Sequence, residues 1–302
     1  MAKMKFRAHE TFFIRKGWLS KGMRAIRENP LAFMSYEDYN PMDALGLGSN
    51  MVKSLRYWMQ ATEIASEPHS GKRFQSLTAD FGEIVYREDP YLEEMGTLWA
   101  IHCNLACNKQ LATSWFFFFN RFNVKRFTKD DFTRALDQYV KMNDTKAYSI
   151  KSLGDDFDCI LGTYISREKI RGRNVSPENN IDCPLGELGI LDVDSKRNKT
   201  YKKKTAIESN LDPLIVEYCI RKQLTASPRE NNEIPLNELL NGDCYPGKIF
   251  NLDSVTLLNM MYKLEDRGIA RIIRTAGMDV VRFPDADRTS EDCLNDYYSS
   301  IK

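Results

Sequence analysis

The 302-residue sequence lacks any apolar run long enough to cross a membrane. A membrane-spanning helix needs about 20 consecutive apolar residues, and the longest apolar patch, within 114–120, is much shorter. The first ten residues, MAKMKFRAHE, also lack the apolar centre of a signal peptide. The sequence therefore predicts a cytoplasmic protein that does not enter a membrane.

Paired cysteines are also lacking, although the chain contains seven cysteines. An odd number of scattered cysteines favours reduced thiols over a disulfide framework. Cys103 and Cys107 lie one helical turn apart beside His102, a spacing compatible with metal ligands. No second pair completes a zinc or cluster motif, so the two cysteines are interpreted as core residues.

Nucleotide-binding motifs are lacking in the glycine-containing segment DALGLGSNMVKSLRYWMQA, residues 43–61. A dinucleotide fingerprint needs a buried strand before the glycines and a third glycine after them, whereas a P-loop needs Gly-Lys-Ser/Thr. None of these features is present. The segment instead predicts a short helix after Asn40-Pro41, a glycine turn, and a longer helix capped by Ser49 or Asn50.

This longer helix has one apolar face and one polar face. Its apolar residues recur at the helical period and predict a buried stripe; they are Met51, Val52, Leu55, Trp58 and Met59. Basic and amide side chains, which contact phosphates and base edges, lie mainly on the other side. The predicted DNA-binding residues of this face are Asn50, Lys53, Arg56, Tyr57 and Gln60.

Basic residues are concentrated in two regions although the net charge is only +1. Residues 1–60 contain ten Lys or Arg against five Asp or Glu, and 196–204 contains six basic residues in nine. Unlike charge patches of this kind are typical of a protein that presents one basic surface to a phosphate backbone. Lys16, Lys202 and Lys203 join the predicted DNA-binding set, although a solvated basic loop equally explains 196–204.

The order of elements predicts a mainly α (α+β) fold with two winged helix-turn-helix modules that flank a helical middle region. Three helices and a short hairpin are predicted within 13–80, and the C-terminal third has three helices before the hairpin IARIIRTAGMDVVRF. The predicted regions are 1–87, 88–182 and 183–302, and the segment 206–288 is expected to fold alone. Mixed charge on the third C-terminal helix favours protein contact as much as DNA contact.

Two polar clusters are candidates for catalysis. His9, Glu10 and Arg15 lie in FRAHETFFIRKGW, and Asp89, Glu94 and His102 lie in EDPYLEEMGTLWAIH. Such groups can move a proton, hold Mg²⁺ or Mn²⁺, or neutralise a developing phosphate charge. A structural arm and acidic capping of a helix start are the competing interpretations.

A third acidic group, Asp155, Asp156 and Asp158, presents the same choice between a metal site and helix capping. No PD-(D/E)xK, HNH or GIY-YIG nuclease motif is present. The metal ligands therefore stay unassigned at this point.

The segments HETFFIRKGWLSKG, LGLGSNMVKSLRYWMQ and DPYLEEMGTLWAIH resemble a bacterial family of similar length, long described as a domain of unknown function. Its genes lie beside DNA phosphorothioation genes, and the family is similar to the SspB-like nicking component of the single-strand phosphorothioation defence system. The resemblance implies DNA nicking, and partners that include a cysteine desulfurase, a PAPS-reductase-like protein and an ATPase. It assigns no catalytic residue.

These observations predict a DNA-binding protein that nicks DNA with Mg²⁺ or Mn²⁺. A non-catalytic DNA-binding adaptor that positions the sulfur-transfer proteins is the alternative, and a transcriptional regulator of the defence genes is a third hypothesis. The sequence excludes neither a monomer nor a homodimer.

Overall fold

Helices form most of the computed structural model, which describes residues 4–68, 73–144, 147–166, 182–275 and 278–302. The helices are α1 (Trp18–Glu28), α2 (Pro41–Leu45), α3 (Ser49–Ala61), α4 (Gly82–Glu88), α5 (Met95–Cys107), α6 (Thr113–Phe116), α7 (Lys129–Asn143), α8 (Ile150–Tyr164), α9 (Pro213–Ala226), α10 (Leu236–Asn241), α11 (Pro246–Ile249), α12 (Ser254–Asp266) and α13 (Ser290–Ile301). A π-helical turn, Phe117–Arg121, continues α6. None of the helices in these ranges combines the length and apolar character needed to cross a bilayer.

Three small antiparallel sheets accompany the helices. Their strands are β1 (Ala65–Ser66), β2 (Ser76–Leu77), β3 (Arg126–Phe127), β4 (Leu191–Ser195), β5 (Thr200–Lys203), β6 (Glu233–Pro235), β7 (Arg271–Thr275) and β8 (Met278–Arg282). The strand orders are β1-β2, β3-β5-β4 and β6-β8-β7. The prediction of a mainly helical α+β protein is confirmed at this level.

The N-terminal helices begin and end largely as their sequence signals predict. The Asn40 side chain accepts a hydrogen bond from the Met42 backbone N–H at 3.1 Å, and Pro41 is the first residue of α2. Gly46 ends α2 at φ 59°, a conformation that glycine adopts without a Cβ penalty. The prediction of a side-chain cap on α3 is wrong, because Gly48 occupies the N-cap position.

The buried face of α3 is wider than its apolar stripe. Val52, Leu55, Trp58 and Met59 are buried as predicted, but Ser54 and Tyr57 are buried too. The N-terminal arm (residues 4–14) covers this side: the Phe12 carbonyl accepts hydrogen bonds from the Ser54 hydroxyl and the Trp58 indole. Tyr57 therefore does not lie on an exposed face.

The C-terminal third contains the predicted hairpin and additional elements. In the hairpin, Ile272 pairs with Val281, and the other edge of β8 pairs with β6. The residues between β7 and β8 lie outside the described part. On α12 the buried residues are Leu257, Met260, Met261 and Leu264. Strand β6 and helix α13 were not predicted.

One continuous apolar core extends from Met4 to Tyr298. Strand β3 pairs with β5, which joins residues 126–127 to residues 201–202. Helix α13 packs beside α5, where the Gly96 backbone N–H donates to the Tyr297 hydroxyl at 2.9 Å. The division into 1–87, 88–182 and 183–302 stays a prediction. The apolar core crosses both of its boundaries, and the two contacts cross the second one. All seven cysteines are free.

Candidate nucleic-acid interface

A cleft of about 600 Å³ with both charged and apolar lining residues lies between the N-terminal arm, the start of α2 and the outer side of α3. We call it the α3 cleft. Its charged lining residues are Lys5, Glu10, Lys53, Arg56, Glu67 and Arg73. The cleft thus brings Glu10, from the predicted catalytic set, to the predicted DNA-binding residues Lys53, Arg56, Tyr57 and Gln60. Asn50 lies beside it and accepts a hydrogen bond from Lys53 Nζ at 3.4 Å.

The cations of the α3 cleft are not equivalent. Arg56 is held by Glu67 through two hydrogen bonds, one of them 2.7 Å between Nε and Oε2. The Gln60 and Gln75 side-chain amides also donate to Glu67 Oε2, at 3.3 and 3.0 Å. Arg56 is therefore part of a fixed polar network.

Three cations, Lys5, Lys53 and Arg73, form no ion pair with another described residue. Burial, followed by the charge of Arg56, lowers the pKa of Lys5. The Lys5 ammonium lies 5.7 Å from the centre of the Tyr57 ring, a cation–π contact. Together these cations give the cleft a positive potential that suits phosphate groups.

His9 anchors the arm from beneath the cleft. Its Nε2 lies 2.7 Å from Asp156 Oδ1, and both side chains are buried. The Thr11 N–H donates to Nδ1 at 3.1 Å, so Nδ1 accepts and Nε2 carries the proton that is donated to Asp156. The imidazole therefore joins the arm to Asp156 of α8. Its ring lies against Trp58 and Trp115, at 6.0 and 5.8 Å between ring centres.

The backbone around His9 adopts a conformation that needs such an anchor. Arg7, Glu10 and Thr11 have φ angles of 55°, 49° and 64°. Left-handed backbone costs about 1 kcal/mol or more for a non-glycine residue, so three such residues persist only when surrounding contacts hold them. Asp156 supplies further contacts by accepting from the Arg7 N–H at 2.8 Å and from the Ser114 hydroxyl. This network holds Glu10 at the cleft.

Asp89 and His102 lie apart from the cleft in structural positions. The two Asp89 carboxylate oxygens accept hydrogen bonds from the backbone N–H groups of Glu93 and Glu94, at 2.9 and 3.0 Å, in the turn before α5, whose N-cap Glu94 makes no side-chain cap. His102 is fully buried, with its nitrogens 2.8 Å from the Tyr164 hydroxyl and the Ile249 carbonyl. Burial lowers its pKa to about 4, so the imidazole is neutral near pH 7.

Glu94 and His102 therefore do not lie on one accessible side of α5. Glu94 is the half-buried N-cap of α5, whereas His102 lies in the aromatic core against Phe119 and Tyr164.

Arg15 and Lys16 line a separate cavity of about 170 Å³ together with Glu93 and Glu187. The Arg15 guanidinium lies over the rings of Phe12 and Trp18, at 5.6 and 5.4 Å. The arm thus runs from the α3 cleft, which Glu10 lines, to this second cavity. Arg15 and Glu10 therefore line different cavities, although they are only five residues apart in the sequence.

Lys202 and Lys203 point to different sides of β5, as successive strand residues do. The Lys202 ammonium is half-exposed and lies 3.6 Å from Asp194. The Lys203 ammonium points inward and donates to the carbonyls of Phe118 and Phe122, each at 2.6 Å. The competing interpretation of 196–204 as a solvated basic loop does not hold for Lys203, because its ammonium is folded over the aromatic core. DNA binding by Lys202 and Lys203 stays a prediction.

Comparison with known proteins extends this description. A family model described as "Protein of unknown function (DUF4007)" matches residues 6–298. The chain belongs to this family. Two solved structures are similar to it, described as "Magnesium ion-bound SspB crystal structure" and "SspB crystal structure", with TM-scores of 0.86 and 0.85. Each is 26% identical in sequence and covers 99% of this chain and 90% of its own.

The DUF4007 chain therefore has an SspB-like structure over nearly its whole length, and the resemblance seen in the sequence motifs is confirmed. No curated protein sequence matches the chain.

Magnesium in one SspB structure raises the question of a metal site in this DUF4007 protein. The three acidic residues of 155–158 are engaged with other side chains. Asp155 lies 3.0 Å from Arg7 Nε, Asp158 Oδ2 lies 2.6 Å from Lys129 Nζ, and Asp156 is hydrogen-bonded to His9. Within the described ranges, no three carboxylate, imidazole or thiol groups converge to hold a metal ion. The described side chains therefore do not fit a metal site built from protein groups alone.

Three residues of the α3 cleft were missed in the sequence. Lys5 lies four residues before His9, Arg73 follows the predicted turn between β1 and β2, and Glu67 lies just after β1. Arg73 could have been predicted from its position beside a hairpin turn, because hairpins next to a DNA-binding helix commonly contact the phosphate backbone of the DNA. Glu67 offers no such signal, since its role depends on Arg56.

Proposed function

We propose that this protein binds DNA in the α3 cleft and nicks it as part of a bacterial DNA phosphorothioation system. The observation that carries the proposal is the convergence of Lys5, Lys53 and Arg73 with Glu10 in one cleft. The SspB-like structure over 99% of the chain supports the assignment to a phosphorothioation system.

We propose further that two winged helix-turn-helix units are present. In the N-terminal half, α1, α2 and α3 precede the hairpin β1-β2, and α3 occupies the position of a recognition helix. In the C-terminal third, α9, α10 and α12 precede β7-β8, with β6 as the third strand. The outer face of α12 is engaged within the chain: Lys263 and Asn259 both contact Glu208, at 2.7 and 3.4 Å. DNA binding is therefore assigned to α3.

Binding in this proposal depends on the phosphate backbone. Lys53 is exposed on α3, and Lys5 and Arg73 lie on the arm and beside the hairpin, so the three cations surround the cleft. Cations that contact phosphates release condensed counterions, which makes the affinity depend on salt. A strand placed between these cations would run past Glu10.

For the nicking step, we assign Glu10 as general base. Its carboxylate accepts a proton from a water molecule whose oxygen attacks the phosphorus. The bond from phosphorus to the leaving oxygen breaks, and this oxygen keeps the electron pair and takes a proton from solvent. Lys5 and Arg73 neutralise the charge that develops on the phosphate oxygens. Mg²⁺ or Mn²⁺ stays a hypothesis for the assay, and no step is assigned to either ion.

The alternative is a DNA-binding adaptor without catalysis. The cations of the cleft suffice for DNA binding, and the carboxylate Glu67, the other acid in the lining, is already engaged with Arg56. An adaptor would bring DNA to the sulfur-transfer proteins of the system. It shares the interface with the nickase and differs only in the role of Glu10.

Plasmid nicking by the Glu10→Gln variant separates the two functions. Supercoiled plasmid is incubated with pure full-length protein and Mg²⁺ or Mn²⁺, with and without a chelator. Glu10→Gln keeps the size of the side chain and removes the base, so we expect nicking to fall by about 10²-fold or more. DNA affinity, measured by fluorescence anisotropy, should change by less than threefold, about 0.7 kcal/mol.

Glu93→Gln is the matched control, because Glu93 is an exposed carboxylate in the separate cavity that Arg15 and Lys16 line. Loss of nicking in Glu93→Gln with full activity in Glu10→Gln would move the chemistry to that cavity. Tight DNA binding by the wild-type protein without nicking under any condition would favour the adaptor.

A further inference from the structure

A second basic cavity, of about 430 Å³, is lined by residues that come later in the sequence than those of the α3 cleft. Four lysines line it, from the start of β3, the end of β5 and α11; they are Lys125, Lys203, Lys204 and Lys248. We call it the Lys203 pocket. Asp253 is the one carboxylate in the lining formed by described residues, and it is engaged as the N-cap of α12, accepting from Thr256 N–H at 2.8 Å.

Main-chain hydrogen bonds hold the lysines of the pocket in place. The Lys203 N–H donates to the Lys125 carbonyl at 2.9 Å, which extends the pairing of β3 with β5. The Lys204 N–H donates to the Ile190 carbonyl at 2.8 Å, and the Asn251 side-chain amide donates to the Lys204 carbonyl at 3.2 Å. The fold therefore fixes the backbone positions from which these lysines reach the pocket.

Lys203 contributes an ammonium that is only partly satisfied by the protein. An ammonium has three N–H donors, and the carbonyls of Phe118 and Phe122 at the π-helical turn accept two of them. Burial, followed by the charge of Lys248, lowers the pKa of Lys203 to about 7.

Lys248 is constrained in the same cavity. Its Nζ donates to Asn123 Oδ1 at 2.5 Å, and burial lowers its pKa. Like charges that converge in a half-buried space raise the free energy of the charged forms, and a bound anion removes this cost. The arrangement therefore favours an anionic ligand.

We propose that the Lys203 pocket binds a phosphate group, carried either by a free nucleotide or by a nucleic-acid end. Its volume lies within the usual range of small-molecule sites, about 300–1,000 Å³, so there is room for a phosphate with its attached sugar. Lys203 supplies a donor at the base, and Lys125, Lys204 and Lys248 add positive charge around it. Lys204 Nζ also lies 3.9 Å from Asp192 Oδ2, outside the lining. The proposal does not depend on the α3 cleft.

Calorimetric titration of the full-length protein with inorganic phosphate and with sulfate, at low ionic strength, tests the site. Lys204→Gln and Lys248→Gln each remove one charge and keep a polar side chain, so each should weaken binding by about tenfold or more. Lys203→Met is less suitable, because its ammonium also caps the carbonyls of the π-helical turn. Lys202→Gln is the matched control: it lies on the same strand and points to Asp194.

Loss of anion binding in the two pocket variants, with wild-type affinity in Lys202→Gln and in Glu10→Gln, would support the pocket independently of the nicking proposal. Absence of binding to the wild-type protein, or equal affinity in all variants, would overturn it. Titration with thymidine 5′-monophosphate and with 5′-phosphorylated and 5′-hydroxyl forms of one oligonucleotide identifies the source. Tighter binding of the mononucleotide would identify the ligand as a free nucleotide. Tighter binding of the phosphorylated oligonucleotide would identify it as a nucleic-acid end. In both cases the pocket variants should lose binding.

Discussion

Lys53 and Arg56 lie one helical turn apart on α3, yet they are available to a ligand to very different degrees. Arg56 is bound by Glu67, whose carboxylate also accepts from Gln60 and Gln75. Lys53 is exposed and only approaches Asn50. Replacing Arg56 would therefore disturb an internal network, whereas replacing Lys53 changes mainly the charge presented to solvent.

Charge reversal at Lys53 and Arg73 tests the interface at this scale. The double variant Lys53→Glu, Arg73→Glu should lose DNA affinity while its thermal unfolding midpoint stays close to that of the wild-type protein. Each lost phosphate contact should reduce the slope of log K against log salt concentration by about one. Arg134→Glu, an exposed position on α7, is the control. Equal salt slopes for the double variant and the wild-type protein would contradict the interface.

Side-chain chemistry predicted part of the candidate site, and burial decided the rest. Lys53 was predicted from its residue type and its position beside the apolar stripe of α3, and Glu10 was predicted from the polar cluster in FRAHETFFIRKGW. Tyr57 and His102 were misplaced for one physical reason: periodicity identifies a face that must be buried, but it does not reveal what covers the other faces. The arm and Leu111 cover Tyr57, whose hydroxyl donates to the Leu111 carbonyl.

Helices with capping signals were the most predictable elements. Thr128 and Asp131 form a capping box at the start of α7, and Asp212 caps α9 before Pro213. The strands β3 and β6 have only two and three residues, so they are too short for an alternating pattern to be recognised. They exist because distant strands, β5 and β8, provide their hydrogen-bond partners.

Gly96 tests how closely α13 approaches α5. A Cβ atom at this position would lie 2.2 Å from Tyr297 Cζ, inside any allowed contact. Gly96→Ala should therefore destabilise the protein by about 1–3 kcal/mol, measured as a shift of the urea unfolding midpoint. Gly186→Ala is the control, because its Cβ would meet nothing within 4 Å. Equal stability of both variants would mean that α13 is not packed against α5 in solution.

At the scale of the whole molecule, the C-terminal third depends on the rest of the chain. Helix α9 is buried on several sides, and its Glu217 and Arg221 form a buried ion pair that Arg288 joins at 2.8 Å. The segment 206–288 ends before α13, whose Cys293, Leu294, Tyr297 and Tyr298 are buried in the core. The expectation that this segment folds alone is therefore revised.

A fragment of residues 206–288 should lack a cooperative thermal transition, because it exposes the surface of α9 that α5 and α13 cover. A fragment extended to residue 302 recovers α13 and should be more protected from proteolysis, although still less than the full chain. Circular dichroism melting and limited trypsin digestion compare the three. A sharp transition in the shorter fragment would show that the C-terminal third is an autonomous unit.

The contact of Tyr297 and Tyr298 with Gly96 and Thr97 also has a consequence for protein synthesis. Thr97 Oγ1 lies 2.6 Å from the Tyr298 hydroxyl, across 201 positions of the chain. On the ribosome, α5 emerges long before α13, and the surface around Gly96 stays exposed to solvent during that interval. The nascent chain therefore has an incomplete core until α13 is synthesised. Chaperones that bind exposed apolar surface would bind α5 around Gly96 during this interval.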